Sequence, residues 1–269
     1  MKISAMRNIL MAILVSLVAV VLPVRAATNY QDMWWVPSES GWGVNVAQQG
    51  NTMFATWFIY STNRQPLWLV MSNAQRSGAA GNTFTGDLYQ TVGTGFSQAP
   101  FVALVPADVT KVGTATFTFS SARAGTLSYT VNGAQVVKQI TRQPLENVSL
   151  AGTYGGGIFR SGSGCATPAL NGTSSGTSLI QISHSTATGA ATITEVGGFG
   201  CRLTGTLAQY GSSFEGSGTY QCAGDALLNG NWTAVEGTGG EATFSLKLNF
   251  RPLNDTCTVT GSVGGFKQQ

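Results

Sequence analysis

The chain has 269 residues, of which only 9% are charged, with 35 glycines, four cysteines and a single histidine. Glycine, serine and threonine in such proportion suit many short strands joined by tight turns, and argue against helical bundles, which draw on Ala, Leu, Glu and Lys. A 10% share of aromatic residues, set in alternating apolar runs, argues equally against a disordered tract.

Residues 1–26 carry the three parts of a secretory signal: Lys2 and Arg7, an apolar run from Ile9 to Leu22, and Val24-Arg25-Ala26 as a small-x-small cleavage site. The run, about 14 residues, falls short of the roughly 20 that span a bilayer, so cleavage after Ala26 is expected and no transmembrane segment follows it. Cleavage takes away Lys2, Arg7 and Arg25, leaving 11 of the 14 basic residues against 11 acidic ones. A mature chain with no net charge gives no ground for nucleic acid or an anionic membrane as partner. A secreted or periplasmic location is expected.

Period-2 alternation bounded by Gly, Asn and Ser predicts strands near 43–48, 52–60, 66–72, 83–91, 112–119, 126–131 and 134–141. Asn132-Gly133 lies between the last two, where the positive φ of a type I′ turn predicts a tight hairpin. Residues 53–60 and 67–71 are apolar on both faces, which predicts central strands covered on two sides. Residues 144–149 read as a seam between an N-terminal unit, 27–145, and a C-terminal unit, 150–269. The second unit is expected to hold strands near 152–159, 179–183, 190–196, 201–209, 214–222, 227–234, 242–251 and 256–261, with 155–178 as a long loop. The fold expected is all-β and antiparallel, in two packed units that are each a β-barrel or a β-sandwich.

All four cysteines fall in the second unit, and an exported chain favours disulfides among them. If Gly211-Ser212 forms a two-residue type II′ turn, Cys201 comes opposite Cys222 with Cα atoms about 4.5 Å apart, within reach of a bridge. That register also puts Cys201, Leu203, Leu207, Phe214, Tyr220 and Cys222 on one dry face, with Arg202, Thr204, Thr206, Ser213, Glu215, Ser217, Thr219 and Gln221 on the wet one. Cys165 is then left to pair with Cys257; a different register would join Cys165 to Cys201. With no C-x₂-C spacing and one histidine, no metal site is expected, and nothing points to a cofactor.

The motifs that carry chemistry elsewhere find little context here. Gly172-Thr-Ser-Ser-Gly176 matches the G-x-S-x-G of hydrolase nucleophile elbows, but no strand, turn and helix surround it, and no acid stands between Ser174 and His184. His184 reads as a solvated strand end. Glu195, Glu215, Asp225, Glu236 and Glu241 each stand alone in a turn or on a polar face, so no carboxylate pair for acid and base catalysis is apparent.

The distinctive segment is Asp32-Met-Trp34-Trp35-Val-Pro-Ser-Glu39-Ser-Gly41-Trp42-Gly43. Three indoles in nine positions, held by Pro and Gly in a compact loop, can present Trp34, Trp35 and Trp42 to a glycan or a protein with Glu39 as acceptor. The competing reading is that the rings plug one end of a barrel or sandwich.

This segment, followed by Gln48-Gln-Gly50, Phe54-Ala-Thr-Trp-Phe58 and Pro66-Leu-Trp-Leu-Val70, resembles a group of exported, mostly proteobacterial proteins that carry W-W-x-P-x-E-S-G-W-G ahead of such a meander. The motif covers roughly the first half of the mature chain and implies a bacterial exported protein. The indoles of the 34–42 loop, rather than the resemblance, give the function expected: an exported, non-enzymatic binding protein whose ligand is a glycan or protein met by that loop. A structural envelope protein and a carboxylate-dependent hydrolase are the alternatives.

Overall fold

The structure is a computed structural model that describes residues 28–223 and 229–269. The signal segment 1–26, Asp225 and the first residues of the strand expected at 227–234 lie outside the described residues.

Two closed antiparallel barrels of eight strands account for both units. The first comprises β1 (Asp32–Trp35), β2 (Gly43–Gln49), β3 (Thr52–Tyr60), β4 (Pro66–Ser77), β5 (Thr83–Thr91), β6 (Val109–Phe119), β7 (Ala124–Val131) and β8 (Ala134–Arg142). Each strand pairs with its neighbour in sequence, and β1 closes on β8 through Trp34↔Arg142 and Trp35↔Thr141. The second comprises β9 (Gly152–Gly162), β10 (Gly172–His184), β11 (Ala190–Val196), β12 (Cys201–Tyr210), β13 (Ser213–Cys222), β14 (Asn229–Gly239), β15 (Thr243–Pro252) and β16 (Val259–Lys267), closed by β16 on β9. The choice left open between barrel and sandwich is thus settled as barrel. Among the described residues no helix is long and apolar enough to cross a membrane.

Eight strands enclose an interior just wide enough for side chains to fill. In the first barrel Trp34, Trp57, Phe84, Phe117 and Phe119 do so, all essentially without solvent contact. The expected hairpin forms at Asn132-Gly133, with φ of 49° and 86° and Val131 opposite Ala134. The second core is built on Tyr154, Phe214, Trp232 and Phe244 among aliphatic side chains.

The β12–β13 register is the expected one: Gly211 has φ of 60°, Cys201 faces Cys222 and Gln209 faces Phe214. Both disulfides form as expected, Cys201–Cys222 with Cα atoms 3.8 Å apart and Cys165–Cys257 at 4.9 Å. Ser213 departs from its expected wet face, being only 7% exposed. The reason is the neighbouring barrel: this end of β13 lies at the junction, and Ser213 Oγ donates to Gly237 O.

Two further expectations are corrected. The loop expected over 155–178 is largely strand, since β9 and β10 pair from Gly152↔Ile182 to Gly162↔Gly172, leaving only 163–171 between them. Glycine misled the reading, because it signals turns in sequence yet here permits close strand approach: a Cβ on Gly156 would lie 2.0 Å from Gly264 O. The segment 32–35 is a strand, β1, rather than part of a loop.

The barrels meet through the end of the first that holds Asp32, Arg123 and Arg142. Asp32 Oδ2 accepts from Arg142 Nη1 at 3.0 Å and from Ser212 N–H at 2.8 Å across the junction. Arg123 Nη1 donates to Tyr210 Oη at 2.6 Å. The linker is held too, as Val148 N–H donates to Gln209 Oε1 and Leu150 N–H to His184 Nδ1. The opposite end of the first barrel therefore points away from the second.

Candidate functional site

The indoles of the 34–42 segment divide by strand parity, for successive side chains of β1 point to opposite faces. Trp34 faces inward with no exposure; its Nε1 donates to Tyr30 O at 2.9 Å, and the Arg142 guanidinium lies 5.3 Å from its ring centroid. It is a core residue, which withdraws it from the expected ligand contacts. Trp35 points outward and is half-buried on the outer wall. Residues 36–42 then fold back to β2, with Glu39 N–H donating to Val36 O.

Glu39 organises that turn. Its Oε2 accepts from Trp42 Nε1 at 3.0 Å and from Lys138 Nζ at 2.6 Å, and the ammonium sits 5.7 Å from the Trp42 ring centroid. The Lys138 ammonium, with the Trp42 N–H behind it, holds the Glu39 carboxyl below its ordinary range. Trp42 packs half-buried against the first core. Glu39 and Trp42 thus fasten the turn to β8, while Trp35 remains on the wall.

The larger aromatic surface lies next door, on strands expected to be covered on both sides. They are covered on one side only. Met53, Ala55, Trp57, Leu69 and Met71 fill the barrel, while Phe58, Tyr60 and Trp68 project outward at 46%, 58% and 55% exposure. A filled barrel has one dry side per strand, so the second apolar face of β3 and β4 is left at the surface. Register aligns it: Gly43 faces Phe58 and Phe58 faces Trp68, while Trp35 falls beside Gly43 one step beyond the Trp34↔Val44 pair. Gly43 provides the close approach that flattens this row, for a Cβ there would lie 3.0 Å from Phe58 Cε2.

A second apolar stretch is the connection after β5. Tyr89 pairs with Val70, which brings residues 92–105 to the same end of the barrel as Trp68. Val92, Phe96, Phe101 and Val102 are all at least 60% exposed. No charged residue occurs from Thr91 to Ala107. The loop is nevertheless braced, with Thr94 Oγ1 accepting the Val102 N–H and Asp108 Oδ2 the Val105 N–H. Sequence reading passed over this stretch because it has no periodicity; its length without charge was the available signal.

The other candidates have structural partners. His184 is half-buried rather than solvated: Nδ1 accepts from Leu150 N–H and Nε2 lies 2.9 Å from Leu207 O, so the ring staples the linker to the second barrel. Gly172 to Gly176 is the start of β10, with Ser174 opposite Arg160. Glu195 is buried and accepts from the backbone N–H groups of Phe199 and Cys201. Glu215 faces Arg123 and Glu236 pairs with Lys247; Glu241 is exposed. Cys165, Asp255 and Cys257 cluster within 4.8 Å, but both sulfurs are in the disulfide and offer no thiolate to a metal. No family model, curated protein or solved structure matches the chain.

Proposed function

We propose that this is an exported binding protein of the bacterial group marked by W-W-x-P-x-E-S-G-W-G, and that it meets a protein partner through the outward end of its first barrel. The observation that carries this reading is that the outward row Trp35, Phe58 and Trp68 lies at the same end of the barrel as the uncharged loop that exposes Phe96 and Phe101. An exposed apolar surface of this extent on a folded domain marks an interaction site, and aromatic residues with few charges are the composition of an interface core. A glycan is the less favoured ligand, because sugar hydroxyls call for many hydrogen-bonding groups, whereas Val92, Phe96, Phe101 and Val102 offer only apolar area. The 34–42 turn supports the surface from behind, with Glu39, Trp42 and Lys138 fixing the wall that carries Trp35.

The test is a photo-crosslinking amino acid placed at position 68 or 101 of the protein in its native host, with position 204 on the second barrel as control. A discrete heavier species from 68 and 101 but not from 204 is expected. Equal labelling at all three positions, or none, rejects the reading. Retention on cell-wall polysaccharide that is lost in Trp68→Ala would replace a protein partner by a glycan.

A further inference from the structure

The two barrels are filled differently. Rings pack the first throughout, whereas in the second Tyr154, Phe214 and Phe244 gather with Leu150 toward the junction and Tyr220 packs on Phe250 farther along. Between that second pair and the aliphatic wall of Ile158, Ile180, Ile193, Leu203 and Leu248 a slot is left unfilled. The slot has a volume of about 60 Å³. An engineered apolar cavity that holds a benzene ring measures roughly 150 Å³, so the slot takes a slender chain and not a ring system.

The mouth is braced. The Cys201–Cys222 disulfide joins two strand ends at the rim, and Cys165–Cys257 ties the neighbouring 163–171 connection to the approach to β16. Arg160 and Glu195 are the two charged residues in the lining. Glu195 is engaged by the Phe199 and Cys201 N–H groups. Arg160 stacks its guanidinium 4.7 Å from the Phe199 ring centroid, and among the described residues no carboxylate lies within ion-pair distance of it. A guanidinium on an aromatic face keeps its donor edge available for a planar carboxylate. An apolar slot with a cation among its lining residues suits an apolar ligand with an anionic head.

We infer that the second barrel binds a short, unbranched aliphatic carboxylic acid, its chain in the slot and its carboxylate on Arg160. This site is independent of the aromatic surface of the first barrel.

Isothermal titration of the mature protein, both disulfides intact, with hexanoate and with 1-hexanol tests the assignment. Saturable binding of hexanoate is expected, with at least tenfold weaker binding in Leu203→Trp, where an indole fills the slot. Arg160→Gln is expected to weaken hexanoate at least tenfold while leaving 1-hexanol unchanged. Should Leu203→Trp fail to fold, Ile193→Phe fills the same space from the adjacent strand. No saturable binding of hexanoate to the wild-type protein, binding that persists in the filled variants, or equal loss of both probes in Arg160→Gln each overturns the proposal.

Discussion

Asp32 and Arg142 form an ion pair of 3.0 Å whose side chains are 9% and 4% exposed, and the same Asp32 oxygen accepts the Ser212 N–H from the second barrel. Arg142 also donates to the carbonyls of Ala122, Asn29 and Gln31, so its charge is enclosed by acceptors on every side. Removing one partner of such a pair strands the other in a dry environment, at a cost of about 3–5 kcal/mol. Asp32→Ala is therefore expected to lower the urea-unfolding free energy by about that amount, and to loosen the barrel junction through the lost Ser212 contact. Asp32→Asn, which keeps the acceptor oxygen, should cost less. A loss below about 1 kcal/mol in Asp32→Ala would show that the pair is idle.

The disulfides should differ in worth. Cys165–Cys257 closes a separation of 92 residues and Cys201–Cys222 one of 21. In the chain-entropy account the longer loop stabilises by about 4.6 kcal/mol and the shorter by about 3.3 kcal/mol. Paired Cys→Ala variants measured by chemical denaturation are expected to rank in that order. The reverse order would mean that residual structure in the unfolded hairpin β12–β13, or packing at the slot, outweighs loop closure.

The sequence made the pairing of those cysteines legible because the Gly211-Ser212 turn fixes a register, and a register fixes every opposite pair out to Cys201 and Cys222. It could not reveal that β3 and β4 leave Phe58, Tyr60 and Trp68 exposed. An apolar residue on a strand's second face looks the same whether another layer covers it or a partner does. It also could not reveal the end of β9 and the start of β10, where Ser161, Gly162, Gly172, Ser174 and Gly176 contribute little apolar area and their order comes from close backbone pairing with neighbouring strands. Trp34 and Trp35 mark the same limit from the other side, since adjacent identical residues carry no sign of which one faces inward until the pairing of β1 is known.

Acid should act first at the loop braced by Cys165–Cys257. Asp255 accepts from the backbone N–H groups of Thr167, Ala166 and Cys257, and these bonds, Thr167 foremost, hold its carboxyl at about 2 against an ordinary 3.8. A depressed value means that the charged form is favoured by folding, so its contribution is fully present above 3.8 and is lost as pH falls toward 2. Reduction of this disulfide by a phosphine, followed by thiol labelling, is expected to accelerate over that interval. In Asp255→Asn the acceleration should vanish and the bridge should be readily reduced already at neutral pH; an unchanged profile in that variant would exclude Asp255 as the brace.

Tryptophan substitutions separate the wall from the core. Trp34 and Trp57 are wholly buried, and truncating either to Ala removes a large ring from a packed interior, at about 3–5 kcal/mol. Trp68 is 55% exposed and its truncation should change the unfolding free energy by no more than about 0.5 kcal/mol, as for other surface positions. Iodide should quench the Trp68 contribution to the fluorescence while Trp34 and Trp57 stay dark to the quencher, so the quenched fraction should fall in Trp68→Ala. The stability difference matters for the binding assignment: because Trp68→Ala leaves the barrel intact, any lost crosslink or partner belongs to the surface and not to misfolding. If Trp68→Ala instead unfolded the protein as Trp34→Ala does, the row from Trp35 to Trp68 would be part of the scaffold and the proposed contact surface would have to be sought on the 92–105 loop alone.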